Sequence, residues 1–370
     1  MSYLIDNKIS FYKKSPYKKN VLRIIKIFTQ IEKNSSFDLL RCSIVFKLFF
    51  FYDLIIKKPN LSFKEFNNFL LDLEKEISTY LKLQKFLIKK DTKFVENVFQ
   101  KDKIDKSDYK NITGDHYSNL FDGFNKTHLI TQPRILLKKR FLKNNISLKD
   151  FHNKTALDLG CGNGRYTFAL KSFGFKKVVG IDISPKNIKM AKYNAKKLSI
   201  KNVVFKVGDV LKLNFKKNNF DFVMSYGVFH HTTSIKRGLK EMVRVTKKGG
   251  TGLVFLIGHG GIKWTIIELC RFILQYTSRE FITNYMKLTK ISQKYIYLIL
   301  DHVLVPINHL TSEQEVDKIF LKLNVKNFFK WRRGSKYDEI EKIFVNKNKI
   351  SEKELFHMFG VGENKYYYIK

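Results

Sequence analysis

The sequence predicts an α/β fold: a seven-stranded, mostly parallel sheet with helices on both faces, an all-helical region before it, and a helical insertion after the fifth strand. Three observations predict it. From Thr113 onward, short apolar runs alternate with helical segments, the pattern of crossover helices covering a buried parallel sheet. The first of these runs ends in a glycine-rich turn that opens a helix. Before residue 100, by contrast, apolar residues recur at helical spacing only.

In chain order, VLRIIKIF, FKEFNNFLLDLEKEI and YLKLQKFLIKK place apolar residues every three or four positions between Tyr17 and Gln100, with a break at Lys57–Asn60. The polar run Lys101–Asn111 reads as a linker, so residues 1–110 form one expected unit and 111–370 a second. In the second unit, KTALDLG is a strand, RYTFALKSFG a helix, KVVGIDI a strand and PKNIKMAKYNAKKL a helix. NVVFKVGD and FDFVMSYGV are strands, SIKRGLKEMVRVT a helix and TGLVFLIG the fifth strand. An apolar helical insertion covers about 262–310, and a helix TSEQEVDKIFLKL, a strand NVKNFFKW and a strand NKYYYIK close the chain.

The 370 residues hold 70 Lys plus Arg against 33 Asp plus Glu, a net charge of +37, yet 44% are hydrophobic, which excludes wholesale disorder. The basic excess has similar density before and after residue 110, and only 11 of the 70 basic residues are Arg. Lys, Asn, Ile and Phe share A/T-rich codons, so coding bias explains the excess better than a nucleic-acid surface, where Arg is favoured for bidentate contacts. Three distant cysteines, Cys42, Cys161 and Cys270, make neither a disulfide scaffold nor a CxxC-type zinc site, and fit a reducing, cytoplasmic setting. Asp6 and nearby lysines interrupt any secretory signal. The stretch Cys42–Ile56, interrupted by Lys47 and Asp53, falls short of the ~20 residues that cross a bilayer.

The chemistry lies in ALDLGCGNGR (Ala156–Arg165). Gly160, Gly162 and Gly164 would let the chain turn sharply and bring backbone against a ligand, with the N–H groups of the next helix facing it. A dinucleotide fingerprint would place its third glycine where Arg165 stands, which argues against NAD and FAD. Asp182, at the tip of the second strand, can accept from both hydroxyls of a ribose. Asp209, ending the third, can accept from an adenine amino group, with Val210 covering the ring.

In this order and spacing, the three features resemble the Rossmann-like class I S-adenosylmethionine-dependent methyltransferases. The segment from Phe220 to Gly258 is similar to the group holding ubiquinone and menaquinone C-methyltransferases and many small-molecule methyltransferases, with Lys248 in place of that group's proline. The resemblance covers about Asp115–Gly258 well and the last third loosely. It implies S-adenosyl-L-methionine as cofactor, with Gly160, Gly162 and Gly164 along its methionine part and Asp158 orienting its amino group. Asp182 and the adjacent Ile183 would lie at the ribose, Asp209 and Val210 at the adenine, backbone near Ser225 and Tyr226 beside the sulfonium, and Tyr117 over the cofactor.

Methyl transfer from a sulfonium is an in-line displacement that needs a general base only for acceptors such as hydroxyls or acidic carbons. His230 and His231 are the catalytic candidates, with His259 a third at the same sheet edge; helix bracing is the competing role for one of the pair. Tyr226, Val228 and Phe229 offer no carboxylate where related quinone O-methyltransferases bind a metal, so no metal is expected. The Asn/Asp-Pro-Pro-Tyr run of amine methylation is replaced by Ser225-Tyr226-Gly227-Val228, and no proline–cysteine pair serves base C5-methylation. A small-molecule acceptor is therefore expected and nucleic acid disfavoured; methylation of RNA or protein, or cofactor binding without turnover, are the alternatives. The insertion could wall the acceptor, form core or make a dimer contact, and the N-terminal helices could dimerise, cap the substrate or anchor to a membrane surface.

Overall fold

The computed structural model describes residues 17–31, 37–57, 63–90, 110, 113–114, 117, 125–289, 299–331 and 360–370. Its helices are α1 (Lys18–Gln30), α2 (Asp38–Lys57), α3 (Phe63–Lys90), α4 (Gln132–Lys143), α5 (Arg165–Lys171), α6 (Pro185–Lys197), α7 (Ile235–Val245), α8 (Gly261–Leu274), α9 (Arg279–Leu288) and α10 (Glu313–Lys322). Its strands are β1 (Thr155–Leu159), β2 (Lys177–Asp182), β3 (Val203–Val207), β4 (Phe220–Tyr226), β5 (Thr246–Ile257), β6 (Asn327–Lys330) and β7 (Glu363–Ile369). The chain divides into two compact units, one of Met1–Ile104, Gly260–Leu304 and Ile350–Gly360, the other of Asp105–His259, Val305–Lys349 and Val361–Lys370.

In the first unit, α8 packs on α2 and α1, and α1 packs on α3. Helix α2 is apolar on nearly every side; it buries Leu40, Ile44, Val45, Leu48 and Phe49 and leaves Leu39, Phe50 and Leu54 exposed. At its start the buried Asp38 accepts from Arg41 Nη1 (2.9 Å) and from Thr277 Oγ1 (2.8 Å), which ties the N-terminal helices to the insertion. The insertion expected over about 262–310 is therefore divided. Helices α8 and α9 belong with the N-terminal helices, whereas residues 305–310 belong with the sheet, because a continuous apolar pattern does not reveal which core it joins. Residues 290–298 of the insertion and most of the linker Lys101–Asn111 lie outside the described residues.

The second unit is the expected seven-stranded sheet, in the order β3-β2-β1-β4-β5-β7-β6. Neighbours are parallel from β3 to β5, while β7 runs antiparallel to both β5 and β6. Alternate residues feed two cores, as a period of two requires. Leu157, Leu159, Val179, Ile181, Val223 and Val254 meet Leu239 and Met242 of α7 and Val316 and Phe320 of α10 on one face. Ala156, Val178, Phe222, Met224 and Leu253 meet Leu137 and Phe141 of α4 and Ala169 and Leu170 of α5 on the other.

Helix starts are set by local chemistry. The side chains of Ser184, Ser234 and Ser278 accept from the third backbone N–H of α6, α7 and α9, and Ser312 with Glu315 makes a capping box on α10. The order places β1 and β4 side by side at the point where the chain's winding reverses, so a crevice opens beyond the carboxyl ends of β1, β2 and β4.

Candidate functional site

The glycine turn joins β1 to α5 there. Gly160 (φ +73°) and Cys161 donate their N–H groups to the Ile181 carbonyl at 2.8 and 2.9 Å, locking the turn to the end of β2. A methyl group on Gly160 would lie 2.4 Å from Val228 Cγ2, and one on Gly164 (φ +93°) 2.7 Å from Phe168 Cζ. At these two positions left-handed backbone and contact with the protein itself call for glycine, in keeping with the sharp turn expected there. Gly162 (φ +52°) instead donates its N–H to Asp182 Oδ2 at 2.9 Å.

Asp182 is thus the hub of the turn. Its Oδ1 accepts from Ser184 N–H (3.0 Å) and Asn187 Nδ2 (3.1 Å). Burial raises the pKa of this carboxyl, and the hydrogen bonds from Ser184, Asn187 and Gly162 pull it back. Neighbouring Ile183 is half-buried. Asp158, at the end of β1, is only 2% exposed and accepts from Thr167 Oγ1 at 2.6 Å. Burial first, and the Asp182 charge as well, push the Asp158 carboxyl up to about 7 against the Thr167 hydrogen bond. Two carboxylates are therefore buried close enough to feel each other.

Asn163, inside the turn, is 1% exposed, and among the described residues no protein group lies within hydrogen-bond distance of its side-chain oxygen or nitrogen. Ser225 Oγ and Tyr226 Oη, at the end of β4, are likewise buried with no hydrogen-bond partner among the described residues. Asp209 lies beyond β3, its Oδ1 accepting from Leu211 N–H (2.8 Å) and its Oδ2 from Lys110 Nζ (2.7 Å). Val210 is 7% exposed and packs into the core around α7, so its side chain already has apolar partners.

A second cluster follows β4. His230 and His231 are both buried in the short helical turn Phe229–His231, their rings 4.1 Å apart. His231 Nδ1 lies 2.8 Å from the Ile307 carbonyl, which can only accept, so Nδ1 carries the proton and the lone pair falls on Nε2. The Tyr117 ring centroid is 5.5 Å from that of His231, placing this tyrosine by the histidines. His259 is held elsewhere, between the backbones of Thr311 and Val361, and burial lowers its pKa. Among the described residues, no three His, Cys, Asp or Glu side chains converge as metal ligands.

The structure thus gathers Asp158, Asp182 and the three glycines around one turn, with Ser225 ending the strand beside β1, and Tyr117 with His230 and His231 in a neighbouring cluster. Sequence reasoning missed Asn163, Thr167, Asn187 and Lys110. Asn163 was visible inside the turn, whereas Lys110 is 99 residues from Asp209 and left no local signal. The donor set fits S-adenosylmethionine: buried carboxylates suit its cationic groups, and the amide of Asn163 and hydroxyls of Ser225 and Tyr226 are buried polar atoms whose protein partners are missing.

Residues 150–322 match a family model described as a methyltransferase domain, and residues 70–208 match one described as tRNA (uracil-5-)-methyltransferase. The chain is 35% identical over 123 residues to the ubiquinone biosynthesis O-methyltransferase of Pelagibacter ubique, covering 31% of this chain and 50% of that protein. It is 39% identical over 113 residues to the demethylmenaquinone methyltransferase of Lactococcus lactis, covering 30% and 44%. The chain spans about half the length of these curated relatives. A solved structure of a methyltransferase in complex with the Trm112 activator of Haloferax volcanii aligns with 71% of this chain and 97% of that one, at 15% identity and a TM-score of 0.42. With its glycine turn at the carboxyl edge of this sheet, the segment is a methyltransferase domain. More narrowly, the family match and the names of these relatives support a class I S-adenosylmethionine-dependent methyltransferase.

Proposed function

We propose that the chain transfers a methyl group from S-adenosylmethionine to a small-molecule acceptor in the cytoplasm, with the sheet-bearing unit (Asp105–His259, Val305–Lys349 and Val361–Lys370) as the catalytic part of the expected 111–370 domain. The observation that carries this reading is the buried pair Asp158 and Asp182 bracketing the glycine turn. When bound, S-adenosylmethionine supplies an electrophilic methyl group on a sulfonium. Asp158 orients the cofactor's amino group, backbone of Gly160, Gly162 and Gly164 follows its methionine part, and Asp182 with Ile183 meets the ribose. Asp209 and Val210 hold the adenine, which requires Lys110 to share or leave the Asp209 carboxylate. Ser225 borders the reacting centre and Tyr117 closes over it.

His231, with its proton fixed on Nδ1 by the Ile307 carbonyl, is in the tautomer a general base needs, and His230 packs against its ring. Such a base suits an acceptor with an acidic hydroxyl or carbon. The matched relatives, named for ubiquinone biosynthesis and for demethylmenaquinone, favour a quinone-type acceptor. Calorimetric titration with S-adenosylmethionine tests the first half: wild type binds, and Asp182→Ala binds at least tenfold more weakly. Unchanged binding in that variant would refute the assignment. For the second half, His231→Gln keeps cofactor binding and loses transfer.

A second reading, methylation of RNA, is favoured by the tRNA-methyltransferase match and by a surface groove along β3 lined by Lys192, Lys196, Lys201 and Lys206. Against a uracil C5 reaction, which uses a thiolate nucleophile, Cys161 is buried and its thiol is pushed well above its ordinary range by burial and by Asp182. Substrate binding that weakens steeply with salt would favour RNA.

A further inference from the structure

We propose that Asn308 binds a polar atom of the methyl acceptor beside His231; the inference rests on the transfer reaction proposed above. Residues Ile307–His309 lie against the histidine turn through two bonds that flank Asn308. On one side the Ile307 carbonyl accepts from His231 Nδ1 (2.8 Å), and on the other His309 N–H donates to the His230 carbonyl (2.8 Å). The backbone of Asn308 is thereby fixed in register with both histidines. The residue is only 2% exposed, and among the described residues no protein group lies within hydrogen-bond distance of its Oδ1 or Nδ2.

Burying an amide unpaired costs stability at both of its ends, so folding alone selects against asparagine at this position. The neighbouring backbone does not use it, since its flanking residues make the contacts to the histidines. An amide offers one acceptor and two donor hydrogens, which can pair with a hydroxyl, a carbonyl or an ionised oxygen on a bound molecule. A general base acts on one acceptor atom; a fixed amide beside it reads a second and so orients the first. The acceptor class that satisfies both carries an ionisable hydroxyl or carbon together with another oxygen, as hydroxylated aromatic rings and quinols do.

Asn308→Leu, with Asn308→Ala as the second variant, separates this role from a structural one. The readouts are melting temperature, calorimetric affinity for S-adenosylmethionine, and incorporation of labelled methyl from the cofactor into the small-molecule fraction of a lysate. KM and kcat follow on the labelled product's purified precursor. The expected result for Asn308→Leu is a melting temperature about 2–4 °C higher, unchanged cofactor affinity, and kcat/KM for the acceptor lower by about tenfold to a hundredfold. Incorporation equal to wild type in both variants would overturn the inference. A fall in melting temperature with proportional loss of cofactor binding would assign Asn308 a structural role and also overturn it. Cofactor binding without incorporation by wild type would overturn the proposed reaction, and this inference with it.

Discussion

Replacing Asp158 by Asn should stabilise the protein at alkaline pH while damaging its cofactor site. The Asp158 carboxyl sits near 3.8 when unfolded and is pushed up to about 7 in the native state, chiefly by burial. Between those values the native state holds a proton that the unfolded state has released, so stability falls as pH rises. The favourable contribution is fully present below about pH 4 and lost as pH passes about 7. A shift of about three units at 1.36 kcal/mol each gives a penalty of about 4 kcal/mol above pH 7. Asn keeps the acceptor for Thr167 Oγ1 and removes the charge that also raises the pKa of Cys161. Thermal unfolding from pH 4.5 to 9 at constant salt should show the variant gaining on wild type as pH rises, reaching about 10 °C at pH 8.5. Calorimetry should show that S-adenosylmethionine releases a proton near pH 6 from wild type and none from the variant, because a cation beside Asp158 favours its ionised form. Parallel melting curves across the whole range would refute the reasoning.

Other substitutions test other links. Gly160→Ala forces a Cβ into left-handed backbone and onto Val228, and should cost about 2 kcal/mol or more in a denaturant titration. Tyr368→Phe removes a buried 2.7 Å bond to Thr246 Oγ1, which keeps its own bond to the Met242 carbonyl, so chemical denaturation should show a loss of only about 1 kcal/mol. Lys110→Met releases the Asp209 carboxylate and should tighten S-adenosylmethionine binding a few-fold in a calorimetric titration, whereas weaker binding would make Lys110 a cofactor contact.

The sheet was legible because its signals are local. Alternation marks each strand, the serines before α6 and α7 mark helix starts, and the spacing from the glycine turn to Asp182 marks the site. What escaped is what depends on distant partners. Val228 explains Gly160 from 68 residues away, and Tyr368, whose ring lies 2.4 Å from where a Cβ on Gly252 would sit, explains that glycine from the last strand. The insertion reads as one apolar stretch, yet Thr277 bonds to Asp38 while Asn308 is held by the turn after β4, and nothing in the composition separates the two. The unpaired state of Asn163 and Asn308 is likewise a property of surroundings that no spacing encodes.

The charge of +37 and the site acids act over different distances. Surface lysines are screened beyond about 8 Å at physiological ionic strength, whereas Asp158 and Asp182 are dry and keep their interaction. S-adenosylmethionine carries a net positive charge, so the exterior repels it on approach and the buried acids hold it on arrival. Added salt should then speed cofactor association while leaving its dissociation nearly unchanged. A polyanionic acceptor must behave in the opposite sense, because salt weakens its attraction to the lysines. Measuring both partners across one salt series therefore separates the cofactor, held by the acids of the turn, from any acceptor held by the basic surface.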